Sequence, residues 1–466
     1  MKSFSTVRMP LSGCLLGLIL VKGLLFILLL PPWQGPDEAA RLEPAIVVAR
    51  RGIQSSGMIP DLEFQGDTVA SMRVFRAWDF YERKTPSPEA NDFNTANLPA
   101  GASFLYEPPL SYLPAALLIR WWEPRSALSA MYVARLASLI LHLMATLMVA
   151  VMGALIFIGP SAALLTTGLV LIYGLHPQLS FIAAAVHPDN FGFLLGAMVV
   201  ALLLLVAKRA RTPGFSLRWL GPLTLMLALA AFAAQIVRKL LILAPFLMIA
   251  LPMIFWPRIR NAGKMEGIAR IAWIFLMVAI LLGIALYLHP ESAGSRLHWS
   301  PLISRADELK QTGVFGGWIR YAGILYTTFW MALGSLVHKL SPSWLVLLTL
   351  GIAWSGWGWL NSLKHNGAWQ LKPCSVSRLQ LILLGLWLVC VGTSVLAAYG
   401  HPASNVEGRY LLLALPSIVV FWITGLAHAQ KKDRELNPVL TGTALFLLLN
   451  LIVIFEYLIP IYYLAG

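Results

Sequence analysis

Long apolar runs alternate with short polar ones along most of the chain, and that pattern predicts a bundle of membrane-crossing helices. A run of about 20 apolar residues is long enough to cross a bilayer as one helix. The first lies at roughly 11–30, and others follow at about 135–157, 162–182, 190–207, 219–234, 240–256, 268–288, 342–360, 379–400, 409–427 and 438–462. The expectation is an all-α polytopic protein of about eleven spans, a single domain over 1–466. Two polar stretches interrupt it, 32–134 after the first span and a second segment at 289–340.

The first polar stretch is rich in Asp, Glu, Pro, Gly and Asn. A loop this long inside a compact membrane protein is usually functional. It opens with PPWQGPDEAARLEPAIVVARR, in which Gly35-Pro36 predicts a helix start with Pro at the first helical position. Leu42, Ile46 and Val47 then supply one apolar face, as in a short helix lying on the membrane surface. The stretch 106–122, YEPPLSYLPAALLIRWW, is apolar but short and broken by proline, which suits an interfacial or re-entrant segment.

Composition agrees with the pattern. The chain has 466 residues, 58% hydrophobic and 12% charged, which excludes an ordinary soluble domain and a disordered one. The net charge of +14 would suggest nucleic acid in a soluble protein. Here Lys and Arg gather between spans, as cytoplasmic loops do, and no nucleic-acid partner is expected. The first span has a basic start and no small-residue cleavage site, so it is expected to stay uncleaved. Cys14, Cys374 and Cys390 show no metal-ligand spacing.

Charge also assigns sides. With the N-terminus in the cytoplasm, the basic loops around Lys208, Arg258, Lys364 and Lys431 all fall inside. The acidic first loop, the 289–318 stretch, the 186–190 turn and the 401–409 loop fall on the outer face. The run 316–340 is apolar but carries Arg320, His338 and Lys339; crossing would invert the later loops, so it is placed on the outer surface. The remaining charges are read as lying at span ends.

Four polar clusters then carry candidate chemistry. Asp37 and Glu38 are adjacent carboxylates at a membrane lip; one suits a catalytic base, the other a neighbouring cation or the backbone. The plain alternative is a pair of helix-dipole partners at a solvated lip. His187-Pro188-Asp189 is either a phosphate contact with its orienting acid or a solvated hairpin. Gln235, Arg238 and Lys239 make an anion site or snorkelling interfacial cations. In Glu407-Gly408-Arg409-Tyr410, Arg409 opens a span where a cation opposes the helix dipole, which favours a phosphate ligand over pairing with Glu407. Carboxylates for an acceptor and cations for a leaving phosphate are what transfer from a polyprenyl-phosphate sugar requires. No Walker-type loop, GxGxxG or GxSxG is present.

These residues resemble the GT-C superfamily of membrane glycosyltransferases, which includes protein O-mannosyltransferases and lipid A aminoarabinose transferases. The likeness rests on Pro36-Asp37-Glu38, on Tyr106-Glu107-Pro108-Pro109-Leu110-Ser111-Tyr112, on His187-Pro188-Asp189, on Phe329-Trp330 through Trp344, and on Glu407-Gly408-Arg409-Tyr410. It is similar within that superfamily to a little-characterised group of bacterial polytopic proteins. The resemblance implies a polyprenyl-phosphate-linked sugar donor, hexosyl or pentosyl transfer, a glycan, lipid or protein acceptor, and an active site on the outer face of the bacterial inner membrane. It implies Asp37 as the base supported by Glu38, with Arg409, Arg238, Lys239 and His187 on the donor phosphate. It implies Asp189, Tyr106, Glu107, Tyr112 and Tyr410 against substrate. No cofactor and no metal site is expected, although some members of the superfamily use a divalent cation. A transporter or flippase of lipid-linked saccharides, or a polysaccharide polymerase or ligase, is the alternative.

Overall fold

The computed structural model describes residues 9–53, 58–79, 85–96, 98, 103–157, 162–209, 220–236, 240, 243–261, 314–333, 338–365, 383, 385–386, 389–391, 408–428 and 436–464. The span expected at 268–288, most of 379–400, the stretch 289–313, and the candidates Arg238, Lys239 and Glu407 lie outside the described residues. So do the side chains of Gln235, Arg320 and Tyr410.

The described chain is helical almost throughout. It runs α1 (Met9–Leu29), α2 (Glu38–Arg51), α3 (Leu62–Val74), α4 (Leu113–Trp122), α5 (Ala127–Ile156), α6 (Ala162–Gly174), α7 (Pro177–Ala183) and α8 (Asp189–Arg209). Then come α9 (Leu220–Ile236), α10 (Leu243–Asn261), α11 (Val314–Trp330), α12 (Pro342–His365), α13 (Leu415–His428) and α14 (Leu436–Ile452). Two-residue strands at Ala332–Leu333 and His338–Lys339 pair antiparallel. Among the described residues four helices are long and apolar enough to cross a membrane, and the bent pair α6 and α7 makes a fifth candidate. The protein is thus an all-helical polytopic membrane protein.

The span expected over 162–182 is interrupted. Pro177 cannot continue the helix of α6, and the chain bends by 58° into α7. The bend frees carbonyls that hydrocarbon cannot satisfy, so neighbouring helices supply the donors. Lys22 Nζ donates to Gly174 O at 2.6 Å and to Ser180 Oγ. His142 Nε2 lies 3.4 Å from Gly174 O, and Asn450 Nδ2 donates to Leu175 O at 2.5 Å. Charges are therefore not confined to span ends. Lys22 is buried inside α1, and Arg135 is buried eight residues into α5.

The first loop also departs from expectation. The helix begins at Glu38 rather than Pro36, with Asp37 as a left-handed N-cap (φ 54°). It does not lie on a surface, because residues 38–48 are all buried. The turn Pro109–Tyr112, α4 and α5 pack around it, so its polar residues face protein as well as its apolar ones. The late span expected from 409 enters as a 3-10 turn over Gly408–Ala414, and α13 begins only at Leu415, beside Pro416, whose ring suits a first helical turn.

Candidate active site

The site is built on a buried ion pair. Arg135 Nε donates to Glu38 Oε1 at 2.8 Å and Nη2 to Oε2 at 2.7 Å, and neither side chain is exposed. Its other N–H groups go to the carbonyls of Ile27 (3.2 Å), Leu30 (2.6 Å) and Pro31 (2.9 Å), which close α1. All five guanidinium donors are thus used. Glu38 also accepts the backbone N–H groups of Gly35 and Val186, each at 3.2 Å. Gly35 is needed here, since a Cβ would meet Ala185 Cβ at 2.7 Å. One carboxylate therefore ties together the end of α1, the start of α2, α5 and the turn before α8.

Asp37 is in a different environment. Its side chain is 39% exposed, and among the described residues no hydrogen bond reaches its carboxylate. Arg41 Nε approaches it to 3.8 Å, one helical turn on. Arg41 itself is buried, with its guanidinium 4.1 Å from the centre of the Phe104 ring and Nη1 3.4 Å from Glu107 Oε2. Tyr112 donates its hydroxyl to the same Glu107 oxygen at 2.5 Å. Burial works against the Arg41 charge, but Tyr112, Glu107 and Asp37 outweigh it and its pKa is raised. Burial above all, with Glu107 adding and Arg41 opposing, holds the Tyr112 phenol well above its usual range, so it remains a neutral donor.

Arg409 enters from the far end of the chain. Gly408 makes this possible: its N–H donates to Thr328 Oγ1 at 2.6 Å, and any Cβ there would strike the backbone of Leu325 and Phe329. Arg409 is 9% exposed, with Nη1 3.3 Å from His187 Nε2. The other ring nitrogen, Nδ1, faces the Asp189 backbone N–H at 3.1 Å and the Asp189 carboxylate at 3.5 Å. The Arg409 charge lies near enough to Arg41 to oppose Arg41's protonation. A cavity of about 20 Å³, room for one water, lies between Tyr112 and His187.

Asp37, Glu38, Glu107, Tyr112, His187, Asp189 and Arg409 thus meet in one region although they come from distant parts of the chain. Tyr106 is 73% exposed and stands outside this hydrogen-bonded set. Sequence reasoning missed Arg41 and Arg135. Each had a signal: Arg41 is four residues from Asp37, and Arg135 is a lone cation inside an apolar run. Among the described residues no three His, Cys, Asp or Glu side chains group as metal ligands.

Residues 20–418 match the family described as Predicted membrane protein (DUF2142). The chain belongs to the DUF2142 family. No curated protein matches it in sequence. Two crystal structures of ArnT from Cupriavidus metallidurans are similar to this DUF2142 chain, one bound to undecaprenyl phosphate and one in the apo state. Each is 15% identical over 94% of this chain and 78% of that chain, with TM-scores of 0.35 and 0.33.

Proposed function

We propose that this protein is a GT-C-type glycosyltransferase that moves a sugar from a polyprenyl-phosphate carrier to an acceptor on the outer face of the bacterial inner membrane. One observation carries the reading. A partly exposed carboxylate that no hydrogen bond reaches among the described residues, Asp37, stands beside the buried guanidinium of Arg41, and Arg409 lies against His187 in the same region. In the reaction, an acceptor hydroxyl or amine attacks the anomeric carbon of the donor sugar. Asp37 takes the acceptor's proton as the carbon–oxygen bond to the phosphate breaks. The leaving phosphate gains charge, which Arg409 and Arg41 stabilise. Glu38 takes no proton in this scheme; it holds the backbone that aims Asp37. Glu107 and Tyr112 keep Arg41 in place, and His187 with Asp189 does the same for Arg409.

The test is to soak the purified protein with a short-chain polyprenyl phosphate and determine the complex. A phosphate seated against Arg409 and Arg41, with a free phosphate oxygen rather than the prenyl chain turned toward Asp37, supports the reading. A phosphate bound elsewhere, or none, removes it.

A second reading, a transporter of lipid-linked saccharides, is favoured by Lys22 inside α1 and by the broken α6–α7 pair. Buried charge within a span and an interrupted helix are features of transport pathways. Saccharide uptake into proteoliposomes without any transfer product would decide for it.

A further inference from the structure

A second cleft lies outside the candidate active site, where α4 ends and α5 begins. Its volume is about 710 Å³, within the range of small-molecule sites. Its lining joins Arg125 and Glu123, from the link between the two helices, to Trp122, Tyr132, Val133 and Leu136, and the last of these is the residue farthest along α5. The α5 N-terminus is not the attraction, since Asp67 already accepts the Ala127 N–H at 2.5 Å and Ser126 and Ser129 cap each other.

Two observations define the occupant. The first is charge. Arg125 is exposed and, like Arg120 in the last turn of α4, makes no ion pair or hydrogen bond among the described residues; Glu123 is the one acid among the described residues that line the cleft. The second is the course of the apolar lining. Beyond Leu136 the same face of α5 continues as Ile140, Met144, Leu147 and Val151, each between 42% and 46% exposed. Their spacing of four, three and four residues is one helical stripe. It descends along a helix apolar enough to span the membrane. Trp122 of the lining is 58% exposed and meets the 78% exposed Trp121 edge to face, and Trp is the residue type that settles at headgroup level.

The geometry points to a binding site for one anionic phospholipid of the phosphatidylglycerol class. Its phosphate meets Arg125 and one acyl chain lies along the α5 stripe. The site holds a resident lipid against the helix pair that braces the first loop, and it does not depend on the transferase reading.

Native mass spectrometry of the full chain released from nanodiscs of equal phosphatidylglycerol and phosphatidylethanolamine tests it. The expected result is one retained phosphatidylglycerol in clear preference to phosphatidylethanolamine. Arg125→Glu, at an exposed position, lowers that retention on the order of tenfold with the melting temperature unchanged. Leu136→Trp, which fills the cleft at that residue, lowers it as well. Equal retention of both lipids, or unchanged retention in Arg125→Glu, overturns the site. Full retention in Leu136→Trp overturns the seat of the acyl chain.

Discussion

Arg135 directs every N–H of its guanidinium at Glu38 or at the three carbonyls that end α1, and Glu38 returns four acceptor bonds from the same fully buried position. Such a pair contributes less to net stability than its partners lose when separated. Arg135→Met leaves a buried carboxylate without its cation and takes the side-chain donor from the carbonyls of Ile27, Leu30 and Pro31, of which Pro31 keeps the Gln34 N–H, and should cost about 3–5 kcal/mol in thermal unfolding. Adding Glu38→Gln should recover part of that loss. Losses that simply add in the double variant would show that the two residues do not act as a unit.

Asp37→Asn should behave in the opposite way. The side chain is half-exposed and receives no hydrogen bond among the described residues, so the melting temperature should hold. Transfer activity should fall by roughly 10²–10⁴-fold, the usual contribution of a positioned base. Near-normal turnover in this variant would take the base role from Asp37.

Gly408→Ala places a methyl group where the backbone of Leu325 and Phe329 already sits. Backbone cannot yield as a flexible side chain can. The cost should be about 1–3 kcal/mol, with Arg409 pushed from His187 and polyprenyl-phosphate affinity reduced. An alanine variant with unchanged melting temperature and affinity would refute the close approach.

Glu43 gives the pH dependence. It is fully buried; Oε1 accepts Asp61 N–H at 3.0 Å and Gln65 Nε2 at 2.7 Å, while Oε2 has no hydrogen-bond partner among the described residues. Burial raises its pKa, against the lowering effect of those two hydrogen bonds. A carboxyl raised on folding stabilises the fold while protonated, and that contribution is lost as pH rises through its folded pKa. Glu43→Gln keeps an acceptor at Oε1 and never ionises. The variant should therefore gain on the natural protein in melting temperature as pH rises from the ordinary carboxyl range, about 4, toward neutrality. A difference that stays flat over that interval would mean Glu43 is not strained by its charge.

Much of the architecture was legible in the pattern of residues. Long apolar runs can satisfy their backbone in hydrocarbon only as helices, so α5, α8, α12 and the 440–464 helix were foreseeable from length and hydropathy. The motifs around Asp37, Glu107, His187 and Arg409 were visible as polar residues at the ends of such runs. The break at Pro177 was visible too, yet the run read as one span because its apolar character continues across the proline. Lys22 was hidden by the same averaging, since a single cation barely alters the hydropathy of a run of about 20 residues, and Arg135 was read as the edge of a span that in fact begins at Ala127.

By itself the sequence determined the class of the protein, because burial of apolar surface and backbone hydrogen bonding in a membrane depend only on local composition and period. Only the tertiary structure decided which of two adjacent carboxylates is occupied. Glu38 is consumed by Arg135, 97 residues away, while Asp37, itself in the left-handed region, keeps a partly exposed carboxylate. It also decided that Arg409, near the other end of the chain, meets His187, next to the Val186 N–H that Glu38 accepts. Those pairings depend on distances between segments far apart along the chain, and packing alone sets them.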